Sequence, residues 1–289
     1  MKSYAKIVLF TKHMIYIYII FILNSFYCFS YDLSICAIFQ NESRFLREWI
    51  EFHQNQGVEK FYLYNNNSSD DYQHALQPFI DQSIVELIDW PYEYQKESEW
   101  TLIQCGSYLD CIKKHLHHCE WIAFLDCDEF LFSPTKRKLT EVLKLFEDFS
   151  CISVNWIMYG TSNVDKVPDG QNITDWLVYR SSLSYRGNRT CKSIVRPNKV
   201  QDCLNPHWFK MKDGLKNFSE KGIETFFGES DVSVNVFRIN HYWSRDKQFF
   251  FNEKIPRRIK WYPNPNDAIF LESCLNEEYD PILSSSRIN

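Results

Sequence analysis

Glycine is scarce in this chain, with 8 residues in 289. Neither GxGxxG nor GxxxxGK[ST] occurs, which argues against a Rossmann dinucleotide site and a Walker nucleotide loop. Excess positive charge is also missing. Against 32 Lys and Arg stand 37 Asp and Glu, a formal net charge of -5, so there is no electrostatic footprint for nucleic acid. None of the 10 cysteines stands in a CxxC pair, which argues against zinc-ribbon and thioredoxin motifs. No internal repeat and no low-complexity linker is visible, and the length suits one large α/β domain.

What is present is apolar and aromatic. Hydrophobic residues make up 45% of the chain and aromatics 17%, enough for a sizeable core with rings left over to face a sugar. At the N-terminus, Lys2, Lys6 and Lys12 precede the apolar run Met14 to Leu23, which continues through Phe26, Tyr27 and Phe29. This is a charged region followed by a hydrophobic one. The uninterrupted run is short of the roughly 20 apolar residues of a spanning helix, and no small-x-small cleavage site follows. Residues 1–30 therefore read as either a signal peptide or a signal anchor. The protein is expected either at a membrane through a single N-terminal anchor or in an export route after cleavage. Of the cysteines, Cys191 and Cys203 are the best candidates for a disulfide.

Along the chain, Leu33 to Phe39 reads as a strand, Ser43 to Gly57 as a helix, and Phe61 to Tyr64 as a second strand. The run Asn65 to Asp71 is a strong turn signal. A helix to about Ile80, a strand Val85 to Ile88, a long helix from about Ser98 to His118 and a strand Trp121 to Leu125 follow. Such alternation implies a doubly wound, mostly parallel sheet. Beyond it, Leu139 to Phe149 reads as a helix, and Cys151 to Tyr159, Ser193 to Val195 and Val234 to Tyr242 as strands. Arg245 to Lys260 reads as a basic helix interrupted near Pro256, and the C-terminal half as a whole is irregular.

The fourth strand ends in Asp126-Cys127-Asp128-Glu129. Asp126 and Asp128 are two apart and face one side of an extended chain. Two carboxylates so placed repel unless a cation lies between them or one is protonated, and a hard divalent metal is the simplest remedy. Gln40-Asn41-Glu42 and Asn65 to Asp71 end the first two strands. In a parallel sheet all three clusters reach the edge where ligands bind. Amides and carboxylates there suit a base and ribose, and a metal at Asp128 suits a diphosphate. Positive charge for that leaving group could come from Arg245, Lys247, Lys254, Arg257 and Arg258, which follow His241. Trp156, Trp208 and Trp243 are candidates to stack on an acceptor sugar.

These residues carry a resemblance. ICAIFQNESRFLREWIEFHQNQGVEKFYLYNNNSSDD, IVELIDWP, CEWIAFLDCDEFLF, VNWIMYGTS, KSIVRPNKV and INHYW resemble glycosyltransferase family 92 and its bacterial relatives, over about residues 33 to 260. The resemblance implies a GT-A-like α/β fold and a DxD motif holding a divalent metal, Mn2+ (or Mg2+). It also implies inverting transfer of a hexose from a nucleotide-sugar donor, a UDP-sugar, to a glycan or glycoconjugate acceptor. By that likeness Asp126, Asp128 and His241 are the metal ligands, and Asn41, Glu42, Asn65, Asp70 and Asp126 form the donor pocket, to which the basic segment is expected to add Arg257. Inverting transfer needs a base for the acceptor hydroxyl; Glu229 and Asp231, in the polar break before the His241 strand, are the candidates. The domain is expected at residues 31–262, with a tail at 263–289. The competing reading is a catalytically inactive GT-A-like domain that binds glycans or serves as a scaffold. A phosphatase with an aspartate nucleophile fits less well, since its loop follows the first strand.

Overall fold

Apolar runs between polar turns form the centre of the molecule, because a strand covered on both faces needs no polar alternation. The computed structural model describes residues 30–258 and 264–285; the basic and apolar N-terminal segment lies outside these. β1 (Tyr31–Phe39) is buried from Leu33 onward. It pairs in parallel with β2 (Lys60–Asn65), which pairs with β3 (Val85–Asp89), and on its other edge with β4 (Cys119–Phe124). Between these strands run α1 (Ser43–Asn55), α2 (Tyr72–Asp81) and α3 (Glu97–His115). This half follows the sequence expectation closely.

The second half comprises β5 (Glu129–Phe132), β6 (Cys151–Met158), β7 (Tyr179–Arg180), β8 (Cys191–Val195), β9 (Val200–Asn205), β10 (Trp208–Met211), β11 (Phe218–Ser219) and β12 (Arg238–His241). The main sheet runs β3-β2-β1-β4-β8-β6-β12-β5, with β11 beside β6. β8 is antiparallel to both β4 and β6. β12 is parallel to β6 and antiparallel to β5. The fold is thus α/β, with a parallel half joined to a mixed half. Among the described residues no helix is long and apolar enough to cross a membrane.

Four departures from the sequence reading have local causes. The strand expected from Val234 begins only at Arg238, because the Glu220 carboxylate takes the N–H groups of Asn235, Val236 and Phe237 that a ladder would have used. The basic helix starts at Lys247. Arg245 before it has φ +57, and a π-helical turn, Phe250–Lys254, precedes Pro256; proline's missing N–H favours such irregular hydrogen bonding. The segment expected as a tail is part of the domain in its described residues. There β13 (Glu278–Tyr279) pairs with β7, and Asp280 bonds Arg180 and Arg238 at 2.8 Å each. Finally, Cys191 and Cys203 do not pair. The Cys203 thiol donates to the Asn205 carbonyl (3.4 Å), and Cys191 meets Ser230 (3.3 Å).

α1 ties the two halves together. Phe45, Leu46, Trp49, Ile50 and His53 form its buried face. Trp49 Nε1 donates to the Glu129 carbonyl (2.8 Å). His53 bonds the Trp49 carbonyl through Nδ1 (2.8 Å), while the Leu131 N–H donates to its Nε2 (3.0 Å). Only the neutral imidazole, protonated at Nδ1, satisfies both bonds. Burial accordingly lowers the His53 pKa to about 3. Folding thus disfavours its protonation. The stabilisation is complete above the unfolded value of about 6.5 and is lost as pH falls from there toward 3, at about 1.4 kcal/mol per unit. Denaturant titrations across this range should show a shallower pH dependence for His53→Gln than for the wild type. Parallel profiles would refute the assignment.

Candidate active site

The C-terminal tips of β1, β4 and β12 and the first three turns of α3 surround a cleft of about 450 Å³. At its floor the chain turns through Asp126–Asp128, and Glu129 N–H closes the turn on the Asp126 carbonyl. Asp126 Oδ1 accepts from Gln104 Nε2 of α3 (2.8 Å), and Oδ2 lies 2.9 Å from Lys192 Nζ of β8. Burial opposes its charged form, yet the Lys192 ammonium prevails and holds the Asp126 pKa below the usual range. Asp128 is also buried, and Lys254 (2.9 Å) and His241 (3.3 Å) hold it well below that range. Glu129 behaves oppositely. It is fully buried, and desolvation pushes its pKa well above the usual carboxylate range even with Lys192 Nζ at 3.6 Å.

Asp128, Glu129 and His241 offer donor atoms within 4.8 Å of one another. Glu129 Oε1 and His241 Nδ1 are buried and have no hydrogen-bond partner among the described residues. Two carboxylates and an imidazole with unused lone pairs fit a divalent cation such as Mn2+ or Mg2+. The expected metal set is brought together at Asp128 and His241. Asp126 stands beside them with both oxygens committed to Gln104 and Lys192, and Glu129 takes its place in the cluster.

The expected donor pocket is only partly assembled. Glu42 lines the cleft and pairs with Arg245 (2.9 Å) and Arg257 (3.3 Å). Arg257 lines it too, with Lys254 and Arg258. Asn41, Asn65 and Asp70 do not line it. Asn41 Oδ1 accepts the Ser69 N–H (2.8 Å), Asp70 Oδ2 the Ser43 N–H (2.7 Å) and Asn65 Oδ1 the Ser68 N–H (3.0 Å). Asn41 and Asp70 lace the loop after β1 to the loop after β2, and Asn65 closes a turn within the second loop, as short polar residues do in turns. Of the other cations, Arg245 is buried on the Cys127 carbonyl and Lys247 pairs with Asp165.

The base candidates fall outside the cleft. Glu229 and Asp231 sit on an exposed loop beside β8, where Glu229 bridges Thr190 and Asp231 pairs with Arg189 at 2.6 Å. The polar break before β12 marks that surface loop. Trp156 and Trp243 line the cleft, whereas Trp208 packs on Phe227.

The sequence reading passed over Gln104, Lys192 and His207. Lys192 left a trace as a lone charge in the buried strand Cys191–Val195. Gln104 follows Glu97, Trp100 and Thr101 at helical spacing, so that one face of α3 meets the cleft. His207 follows the turn residues Asn205 and Pro206, and nothing local sets it apart.

A family model described as glycosyltransferase family 92 matches residues 31–274. A Ricinus communis protein described as a member of that family is 29% identical over 239 residues, covering 80% of this chain and 39% of the relative. A beta-1,4-galactosyltransferase of Caenorhabditis elegans is 31% identical over 232 residues, covering 76% and 50%. This chain thus spans half or less of the length of these curated relatives. Among solved structures, Staphylococcus aureus TarS in complex with UDP aligns with a TM-score of 0.39 at 11% identity, over 57% of this chain and 47% of that one.

Proposed function

The chain belongs to glycosyltransferase family 92, and from that premise we propose that it moves a hexose from a UDP-sugar to a hydroxyl of a glycan or glycoconjugate, with inversion and with a divalent metal. The observation that carries this reading is the buried Asp128–Glu129–His241 cluster, which shares its cleft with Lys254, Arg257 and Arg258. Asp128, Glu129 and His241 would hold Mn2+ (or Mg2+), which when bound supplies Lewis-acid compensation for a departing diphosphate. Lys254 and Arg257 would complete the clamp on the diphosphate oxygens. Trp156 and Trp243 would give the sugar an apolar face. The name of the nematode relative makes UDP-galactose the first donor to try. Residues 1–30 would bring the domain to a membrane or into an export route.

The test is a panel of UDP- and GDP-hexoses with and without Mn2+, offered a galactose-terminated oligosaccharide and scored for released nucleoside diphosphate. Calorimetry of UDP runs in parallel. Mn2+-dependent UDP binding and Mn2+-dependent release are expected. A protein that binds the oligosaccharide but neither binds nor releases UDP is a glycan-binding module, and the proposal fails.

A further inference from the structure

We propose that His207 is the general base that takes the proton of the attacking acceptor hydroxyl. The inference rests on the transferase reading above and supplies the group that Glu229 and Asp231 cannot. In a single displacement the acceptor oxygen forms its bond to the anomeric carbon as the bond from that carbon to the phosphate oxygen breaks. The bonding pair leaves with the nucleoside diphosphate. The hydroxyl proton passes to Nε2 of His207 and from there to solvent.

Geometry selects the residue. His207 lines the cleft just past the end of β9. Its Nδ1 lies 2.9 Å from the Cys191 carbonyl, and its backbone N–H donates to Asn205 Oδ1 at 2.8 Å. A carbonyl only accepts, so Nδ1 carries the hydrogen and the lone pair stands on Nε2. Gly228 presses on the residue from behind. Its φ is +80, and a Cβ there would lie 2.3 Å from His207 Cβ, so only glycine lets the two backbones approach. The ring stands edge-on to Trp156 at 5.3 Å between centroids, and Trp156 meets His241 of the metal cluster at 4.5 Å. The Trp156 indole is itself pinned, donating to the Gly187 carbonyl at 2.7 Å. His207 is therefore a fixed imidazole one ring away from the metal cluster, on the indole proposed to hold the sugar.

The other acids of the cleft are committed. Glu42 pairs with two arginines, Asp126 with Lys192, and Asp128 with Lys254. Glu97 also lines the cleft, but it is an exposed side chain on the first turn of α3. A base works from a fixed position, which favours His207. Burial lowers the His207 pKa to about 4. The ring is then neutral at physiological pH, with about the basicity of an aspartate carboxylate.

The variants His207→Asn and His207→Ala test this. Asparagine can keep the bond to the Cys191 carbonyl through its amide while deleting Nε2. In transfer from UDP-galactose with Mn2+ to a galactose-terminated oligosaccharide, H207N is expected to lose about 100-fold or more in kcat. Its thermal midpoint and its Mn2+-dependent affinity for UDP should stay near the wild-type values, and added imidazole should restore part of the kcat of H207A. Three results would overturn the proposal: H207N within threefold of the wild-type kcat, a UDP affinity that falls as far as kcat does, or a Glu97→Gln variant that carries the loss instead. A wild type that binds no UDP and releases none fails earlier and sinks the transferase reading itself.

Discussion

Asp128→Asn is expected to abolish metal-dependent transfer, with kcat/KM falling by roughly 1000-fold or more, while the protein stays folded. The carboxylate touches both His241, at 3.3 Å, and Lys254, at 2.9 Å. Asparagine keeps the shape and removes the charge, so a divalent ion loses its strongest oxygen donor and several kcal/mol of stabilisation of the departing phosphate. Lys254 then lacks its counter-ion. Its amine lies near the cleft surface and over the Trp243 ring at 5.2 Å, so the cost to folding is modest. The contrasting variant is Asp126→Asn. Asp126 is fastened to Gln104 and Lys192, so D126N should weaken Mn2+ binding less than D128N does. Electron paramagnetic resonance titration of Mn2+ with UDP measures this without any turnover. Equal losses in the two variants would place Asp126 among the ligands.

The contrast between these two aspartates shows where the sequence was legible. β1 to β4 and their helices could be read because each is specified within its own span. Leu33 to Phe39 is an uninterrupted apolar run, α1 carries Phe45, Leu46, Trp49 and His53 at helical spacing, and Asn65 to Asp71 punctuates the chain. The same locality delivered Asp126 and Asp128 to a strand tip. Roles that depend on partners far along the chain were not legible. That Asp126 faces a lysine follows from β8 inserting antiparallel between β4 and β6. Nothing within Cys191–Val195 says which strands it will join. Asn41, Asn65 and Asp70 misled for a related reason: their side chains suit a nucleotide pocket and a turn equally well, and the backbone N–H groups beside them were the nearer donors. Glu229 and Asp231 stand near His241 in sequence but on a surface loop in space, whereas the cleft recruits His207 through the β9–β10 hairpin.

Lys192→Met should be the most destabilising single change in the cleft floor. The ammonium is 1% exposed, lies 2.9 Å from Asp126 and 3.6 Å from Glu129, and sits on a strand with β4 on one side and β6 on the other. Methionine fills much the same volume, so the loss is electrostatic rather than one of packing. Asp126 is then left charged against a buried wall with only Gln104 to donate to it, and Glu129 with only the Asp126 N–H. Removing one partner of such a group costs about 3–5 kcal/mol, on the order of 10 °C in melting temperature for a domain this large. Adding Asp126→Asn to the methionine variant should recover part of that loss, because the stranded charge disappears and the amide oxygen can still accept from Gln104, whereas Glu129 is already held toward its neutral form by burial. The effects should therefore be non-additive, as expected for groups in one network. Differential scanning calorimetry of the four proteins of this cycle decides the matter. If K192M melts within a degree or two of the wild type, Lys192 does not neutralise the acids. Asp126 would then have to bear its charge without the lysine, and its assignment as a residue fastened away from the metal would fall with that result.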